Sequence, residues 1–293
     1  MLEKGNKVIL GVTPLTELVL GQAFPQLQTI SLPPYEIRYS LVLPIWLKLV
    51  LDLPRLRAVI KKEQQLLNEI VLNNNIDVVV SDNRYGLCHP NTKNIIVCHQ
   101  INLITPFFSS LANMIHKKWL SKFNEVWVPD HCDRSKALAG KLSTNALNLN
   151  CNYIGPLSRL TYMDTNLKYD HLFLLSGPEP QHTILLKKVI GLVKRSPSKK
   201  IAIVTSKKVD DKDIHDIVIS PNSKDLSLLI ASSKQVICRS GYSTLMDMYV
   251  LKKSDLVLIP TKGQSEQEYL AAHWKTHFNA IILNEDKLSN YNL

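Results

Sequence analysis

Two polar turns near the end of the chain carry the side chains best suited to chemistry. The first, Arg239-Ser240-Gly241, follows the apolar run Val236–Cys238 and precedes a helical pattern. A glycine lets the backbone approach a ligand closely, and we expect Ser243 or Thr244 to cap the helix. The amides and dipole of a helix N-terminus favour a phosphate, and the Arg239 guanidinium adds a cation beside them. The turn therefore predicts an anion site.

The second turn favours a ligand rich in hydroxyl groups. The apolar run Leu256–Pro260 ends in a stretch of donors and acceptors, Thr261–Gln267, which opens another helix. Carboxylate and amide groups hold sugars through many hydrogen bonds, so Glu266 and Gln267 suit a hexose better than a base or a metal. An ordinary strand–turn–helix corner explains Arg239-Ser240-Gly241 alone equally well. The two turns together favour a sugar nucleotide.

Alternating apolar and amphipathic stretches predict the elements that position these turns. Short β-rich runs separated by helical patterns are typical of parallel α/β units. The predicted strands cover 7–12, 76–81, 94–98, 125–128, 172–175, 200–204, 217–219, 235–238, 255–259 and 279–283. The predicted helices cover 45–72 (in pieces around Pro54), 108–120, 135–139, 184–194, 225–231, 243–250 and 266–274. Residues 1–5 suggest the tail of a helix and a glycine stop.

Length and composition set the limits of the fold. At 293 residues, two domains are expected, and the Gly-Pro loop at 152–156 predicts residues 1–155 and 156–293 as those domains. Hydrophobic content of 45% with 20% charged residues is ordinary for a globular protein. We expect no signal peptide and no membrane span. Five cysteines without a CxxC spacing predict reduced thiols in the cytoplasm.

The net charge of +10 bears on the partners. Each half of the chain carries about half of this excess, which argues against a basic arm that binds nucleic acid. The charge fits phosphorylated substrates or an anionic membrane, and equally a generally basic proteome. Residues 41–72 mix apolar residues with Lys and Arg, so this segment suits peripheral contact with a membrane or packing against the sheet.

At this point the second half resembles the donor-binding domain of the GT-B glycosyltransferases. The nearest group is family 28, which contains the N-acetylglucosaminyl transferase that completes the lipid-linked peptidoglycan precursor. The residues at the positions of the family's motifs are Arg239, Ser240, Gly241, Asp247, Pro260, Glu266, Gln267 and Ala271. In that family the acidic residue at position 247 holds the ribose, and the pair at 266 and 267 contacts the donor sugar. Gly177 stands where the family has its diphosphate turn.

The first half resembles the acceptor side of the same family. Cys98–Asn102 is similar to the family's His-Glu-Gln-Asn segment, and Asp77–Gly86 places polar groups at the carboxyl end of a strand, where open α/β sheets bind ligands. The family's first strand and its Gly-rich turn with a histidine have no counterpart here. The resemblance thus implies two Rossmann-like domains facing a cleft, the first N-terminally truncated.

The implied reaction is the inverting transfer of a hexose-type sugar from a nucleotide donor, UDP by resemblance, to an acceptor glycan or a lipid-linked acceptor. The predicted donor-binding residues are Gly177, Arg239, Ser240, Gly241, Tyr242, Ser243, Asp247, Glu266 and Gln267. The predicted acceptor-side residues are Arg84, Tyr85, Gln100 and Asn102. His99 and Asp82 are the two candidates for the base, although the sequence favours a structural or substrate-positioning role for His99 over that of the base.

We expect no cofactor and no metal. Asp211-Lys212-Asp213 mimics the metal motif of the other glycosyltransferase fold but lies in a run of charges typical of a solvated loop. Asp130–Asp133 is better explained as a helix N-cap after Pro129, and His273 and His277 as surface or packing residues. The expected location is the cytoplasm, at the inner face of the plasma membrane if the acceptor is a lipid. The alternatives are an inactive or fragmentary sugar-nucleotide binder and an enzyme similar to UDP-sugar 2-epimerases.

Overall fold

The computed structural model describes residues 5–34, 45–105, 109–145, 147–209 and 216–293. Two sheets make up most of the first half. The elements are β1 (Ile9–Val12), α1 (Pro14–Ala23), β2 (Gln28–Ser31), α2 (Ile45–Asn74), β3 (Val78–Asp82), β4 (Lys93–Val97), α3 (Ser109–Leu120), β5 (Glu125–Val128) and β6 (Cys151–Tyr153). Strands β1 and β2 form a parallel pair, and β3-β4-β5-β6 form a parallel four-stranded sheet in that order.

The second half is built on one parallel sheet. Its elements are β7 (Tyr169–Leu174), α4 (Gln181–Lys194), β8 (Ile201–Thr205), β9 (Ile217–Ile219), α5 (Ser223–Ala231), β10 (Ser233–Cys238), α6 (Tyr242–Val250), β11 (Leu256–Leu258), α7 (Ser265–Phe278) and β12 (Ile281–Ile282). The strand order is β12-β11-β10-β7-β8-β9. The boundary that we predict at residue 155 falls between β6 and β7.

The carboxyl halves of the central strands, Leu172–Leu174 of β7 and Val236–Cys238 of β10, are apolar and buried because helices cover both faces. On one face, Leu172 and Val236 pack with residues of α6 and α7, including Leu245 and Trp274. On the other face, Phe173 and Ile237 pack with residues of α4. The first cluster also includes Leu138, Ala139 and Leu142, so a loop of the first half contributes to the core of the second.

Two local predictions differ from the structure, and one region that forms regular elements had no prediction. Residues 135–139 form turns instead of a helix, for a reason given below. Helix α2 runs unbroken from 45 to 74 with Pro54 inside it. The pattern at residues 13–31 was not predicted, although it forms α1 and β2, and Thr13 caps α1 through its hydroxyl group.

Several predictions fall wholly or partly on residues outside the described ranges. These are the helix tail at 1–4, residues 41–44 of the segment with the possible membrane contact, and Asp211-Lys212-Asp213. No helix among the described residues is long and apolar enough to cross a membrane.

Candidate functional site at the carboxyl edge of the second sheet

Three adjacent strands end at the same edge of the second sheet. Because β7, β10 and β11 are parallel neighbours, the turns that follow them lie side by side. The first two of these turns contain Gly177 and Arg239-Ser240-Gly241, and the third leads to Glu266 and Gln267 at the start of α7. The sheet thus brings together the two turns that are best suited to a sugar nucleotide.

Each of these turns has free space beside a glycine. A Cβ atom built on Gly177, Gly241 or Gly263 would meet no atom within 4 Å. Gly177 and Gly263 have φ angles of 114° and 80°, which only glycine adopts readily. Gly241 has an ordinary φ of −76°, so its lack of a side chain is not required by the backbone. A ligand can therefore approach the backbone closely at all three turns.

The helices that leave this edge begin without side-chain caps. No side chain caps α4 at Pro180, α6 at Gly241 or α7 at Gln264. By contrast, side chains cap α1 and α5. The first amides of an uncapped helix keep their capacity to bind an anion. We expected Ser243 or Thr244 to cap α6, and that prediction is wrong because the helix begins earlier, at Tyr242.

The Arg239 side chain is buried in an internal ion pair. Its guanidinium is 3% exposed and donates to the Glu285 carboxylate at 2.7 Å and to the Ile259 carbonyl at 3.2 Å. Lys188 on α4 reaches the same carboxylate at 3.0 Å. Binding of a phosphate by Arg239 stays a prediction, since in this structure the guanidinium serves an internal ion pair.

Ser240 and Gln267 join the two turns to each other. The Ser240 hydroxyl donates to the Gln267 carbonyl at 2.8 Å, and the Gln267 side-chain oxygen accepts from the Thr261 amide at 2.9 Å. Arg239 and Gln267 thus both bond to the segment that follows β11. These contacts hold the two turns in place relative to each other.

Asp247 on α6 is half-buried beside the linker between the halves. It accepts a hydrogen bond from the Ser158 hydroxyl at 2.6 Å. Burial raises the pKa of Asp247, while Ser158 and the charge of Arg159 lower it. Its proposed contact with a ribose is untested, and Ser158 is a neighbour that the sequence did not indicate.

The first half meets these turns at His99. Its Nε2 atom lies 3.0 Å from Oε1 of Glu266, and its ring stacks on the Tyr242 ring with centroids 4.3 Å apart and an interplanar angle of 12°. Tyr242 is buried, and burial raises the pKa of its phenol, which donates to the Pro129 carbonyl at 2.6 Å. The predicted base candidate and two predicted donor-side residues therefore lie together.

Asp82, the other candidate base, lies near His99. Burial of its carboxyl group raises the pKa of Asp82, and the charge of His99 lowers it, although the residue as a whole is exposed. A carboxyl with a raised pKa accepts a proton more readily near neutral pH.

The predicted acceptor-side residues hold the scaffold of the first half. Arg84 donates to the buried Glu63 carboxylate at 2.5 Å and to the Pro33 carbonyl. The remaining three bond to other first-half residues: Tyr85 and Gln100 to His116, and Asn102 to the carbonyls of Lys141 and Thr144. A role of these four in binding an acceptor stays a prediction.

Asp130 organises a loop that reaches the second half. Its carboxylate is buried and accepts from the amides of His131, Leu138 and Ala139 and from the Ser143 hydroxyl, at 2.7–2.9 Å. We interpreted Asp130–Asp133 as a helix N-cap, and that interpretation is wrong because the Asp130 carboxylate holds a compact loop in place of the helix at 135–139. No group of three or more possible metal ligands occurs among the described residues.

Helix α7 packs on this loop. His273 lies 2.7 Å from the Ala137 carbonyl, while Trp274 donates to Leu138 at 2.9 Å, and the Tyr269 hydroxyl accepts from Lys141 at 2.7 Å. His273 is therefore a packing residue, as we expected. The contacts of Asp130 and α7 carry no motif, which is why the sequence did not reveal them.

Solved structures with the same architecture are GT-B glycosyltransferases. Arabidopsis thaliana UGT89C1 in complex with UDP-L-rhamnose has a TM-score of 0.60 at 13% identity, covering 99% of this chain and 82% of that one. Acinetobacter baumannii MurG has a TM-score of 0.52 at 11% identity, with the same coverage. The spinosyn rhamnosyltransferase SpnG in complex with thymidine diphosphate has a TM-score of 0.57 at 12% identity, covering 99% and 84%. The predicted GT-B fold is confirmed.

A family model matches the second half of the chain. Residues 176–293 match the glycosyltransferase family 28 C-terminal domain, which confirms the resemblance over that segment. No curated protein matches the chain significantly. The matched segment and the fold together place the chain among the glycosyltransferases.

Proposed function

We propose that this protein transfers a hexose-type sugar from a UDP donor to an acceptor hydroxyl, with inversion and without a metal ion. The observation that carries the proposal is the contact of His99 with Glu266. It lies beside the three turns in which a glycine leaves space for a ligand. A base candidate of one half thereby lies next to the donor-side turns of the other half. The nucleotide-bound relatives UGT89C1 and SpnG support a nucleotide-sugar donor.

The uncapped helix N-termini would stabilise the departing diphosphate. An anion near one helix N-terminus gains about 0.3–1 kcal/mol, and up to about 2 kcal/mol where the site is partly buried. Helices α4, α6 and α7 start at the same edge, so their contributions would act on one diphosphate. These N-termini are the support for the metal-independent form of the proposal.

The reaction exchanges one bond for another. The acceptor oxygen forms a bond to the anomeric carbon, the bond from that carbon to the diphosphate breaks, and its electron pair leaves with UDP. The acceptor proton passes to a base, His99 or Asp82. Attack opposite the leaving group inverts the anomeric centre.

A lipid-linked acceptor at the inner face of the plasma membrane is the more specific form of the proposal. The described part of α2 exposes four cationic side chains, Arg55, Arg57, Lys61 and Lys62. The same helix buries Leu67 and Val71 against the first half. A helix with one packed face and exposed basic residues suits an anionic surface.

Calorimetric titration with UDP, followed by an assay of UDP release from a panel of UDP-hexoses, tests the proposal. We expect the protein to bind UDP and to release UDP from a UDP-hexose only when a cell extract that supplies acceptors is added. The release of UDP should persist in EDTA, and the product should have the inverted anomeric configuration. Absence of UDP binding would exclude the function. Binding without release would indicate a sugar-nucleotide binder, and a 2-epimer formed without acceptor would indicate an epimerase.

A further inference from the structure

The His99 ring is held on its edge and on its face by residues of the second half. Glu266 lies at the edge, with Oε1 3.0 Å from Nε2, and Tyr242 stacks on the face. Tyr242 is itself fixed, since it is 3% exposed and its hydroxyl donates to the Pro129 carbonyl. The imidazole therefore has little freedom to rotate.

The contact with Glu266 also selects the protonated nitrogen. An ionised carboxylate only accepts hydrogen bonds, so Nε2 of a neutral His99 must carry the proton. The lone pair then resides on Nδ1, which makes no hydrogen bond to any residue within the described ranges. At 24% side-chain exposure, the ring is accessible to a small group. Nδ1 is thus the atom of His99 that can accept a proton.

We propose that His99 and Glu266 form a catalytic dyad assembled across the two halves, with Glu266 as the positioning residue of the base. This inference rests on the proposed function. The acceptor proton passes to Nδ1 while the acceptor oxygen bonds to the anomeric carbon and the diphosphate leaves with the electron pair of the broken bond. Glu266 stays ionised and stabilises the imidazolium that forms, as carboxylates do beside catalytic histidines.

The dyad has a consequence for the catalytic cycle. His99 follows β4 of the first half and Glu266 is the second residue of α7, 167 positions later in the chain. The base is oriented only when the halves are in contact. Proton transfer to His99 therefore requires the arrangement of the two halves seen in this structure, in which Glu266 contacts His99.

The first test reads the tautomer without any assay of activity. Nitrogen-15 spectra of the histidine side chains distinguish protonated from unprotonated ring nitrogens, and a His99→Gln variant identifies the His99 signals. We expect a protonated Nε2 in the full chain near neutral pH and a shift of population toward the Nδ1-protonated form in Glu266→Ala. A neutral His99 that carries its single proton on Nδ1 in the wild-type protein would overturn the dyad even if transferase activity is established.

The second test separates orientation of the base from binding of the sugar. We expect Glu266→Gln to lower kcat by about 10- to 100-fold and to leave the affinity for UDP nearly unchanged. The loss is smaller than the full contribution of a general base, about 100- to 10,000-fold, because His99 itself remains. Glu268→Gln makes the same charge change two residues along α7, where Glu268 is exposed, and should leave kcat within about twofold.

Two kinetic outcomes would contradict the dyad. One is a rise in the KM for the UDP-hexose at unchanged kcat in Glu266→Gln, which would make Glu266 a sugar ligand only. The other is a loss of kcat in Asp82→Asn as large as in His99→Gln while Glu266→Gln is unaffected, which would make Asp82 the base. A protein that binds no UDP would refute the proposed function, whereas the nitrogen spectra would still decide whether Glu266 orients His99.

Discussion

The guanidinium of Arg239 donates a hydrogen bond to the carboxylate of Glu285 over 2.7 Å, so the most conspicuous cation of the candidate site is neutralised inside the protein. Glu285 begins the 3-10 helix Glu285–Asn290, which packs on α4, and it also binds Lys188. The ion pair therefore ties the turn after β10 to the C-terminal segment. It fixes the position of one turn of the candidate site.

We expect Glu285→Ala to destabilise the protein strongly. The substitution leaves the Arg239 guanidinium buried without its counter-ion, and loss of one partner of a buried pair costs about 3–5 kcal/mol. The midpoint of urea denaturation measures the effect. Asp286→Ala is the control, because its side chain is 75% exposed and its surface ion pairs contribute at most about 1 kcal/mol. Equal midpoints for the two variants would show that the pair with Arg239 does not stabilise the fold.

We expect Gly241→Thr to abolish or greatly weaken UDP binding without loss of stability. The backbone at Gly241 is ordinary, a Cβ atom there meets no atom within 4 Å, and threonine equals glycine as a helix N-cap. The added atoms would occupy the space assigned to the diphosphate. Calorimetry with UDP measures the affinity, and thermal unfolding checks the fold. Gly21→Ala also adds a Cβ in free space, in α1, and should leave the affinity unchanged.

Asp82→Asn should make the protein more stable near neutral pH. Burial raises the folded-state pKa of Asp82 above 3.8, so the charged carboxylate disfavours the folded state. For a raised pKa, the stability that the carboxyl contributes is complete below its unfolded value and declines as pH rises through the folded value. The advantage of the variant should therefore appear at pH 7 and shrink as pH falls toward 3.8.

Thermal unfolding across that pH range measures the difference between Asp82→Asn and the wild-type protein. Asp77→Asn changes an exposed residue just before the same strand, and it should alter stability by less than about 0.5 kcal/mol. A destabilised Asp82→Asn variant at pH 7 would mean that the interaction with His99 outweighs the cost of burial.

We expect Gly140→Ala to loosen the contact between the loop at 137–142 and α7. Gly140 has a φ of +54°, and a Cβ there would lie 2.6 Å from the Tyr269 hydroxyl and 2.8 Å from Nδ1 of His273. Strain and overpacking of this kind cost about 1–3 kcal/mol. Gly191→Ala in α4 meets no atom closer than 3.8 Å and should stabilise by about 0.5–1 kcal/mol. Unfolding midpoints that rank the two variants the other way would contradict the assigned contact.

The strands and helices of the second half could be predicted because their signals are local. Apolar runs such as Val236–Cys238 end at polar turns, and both the periodicity and the turn residues are visible in the sequence. The prediction failed at residues 135–139 because Asp130 bonds to the amides of Leu138 and Ala139, which a helix would have used. A buried carboxylate that organises a loop has no periodic signal.

The sequence alone determined the parallel α/β architecture and the position of two polar turns at adjacent strand ends, since these depend on hydrophobic period and on the conformations open to glycine. Only the tertiary structure decided where the side chains in those turns point. Glu285 draws the Arg239 guanidinium inward, and the packing of the two halves brings His99 against Glu266. Such contacts join residues far apart in the chain, and their geometry follows from how whole sheets and helices pack.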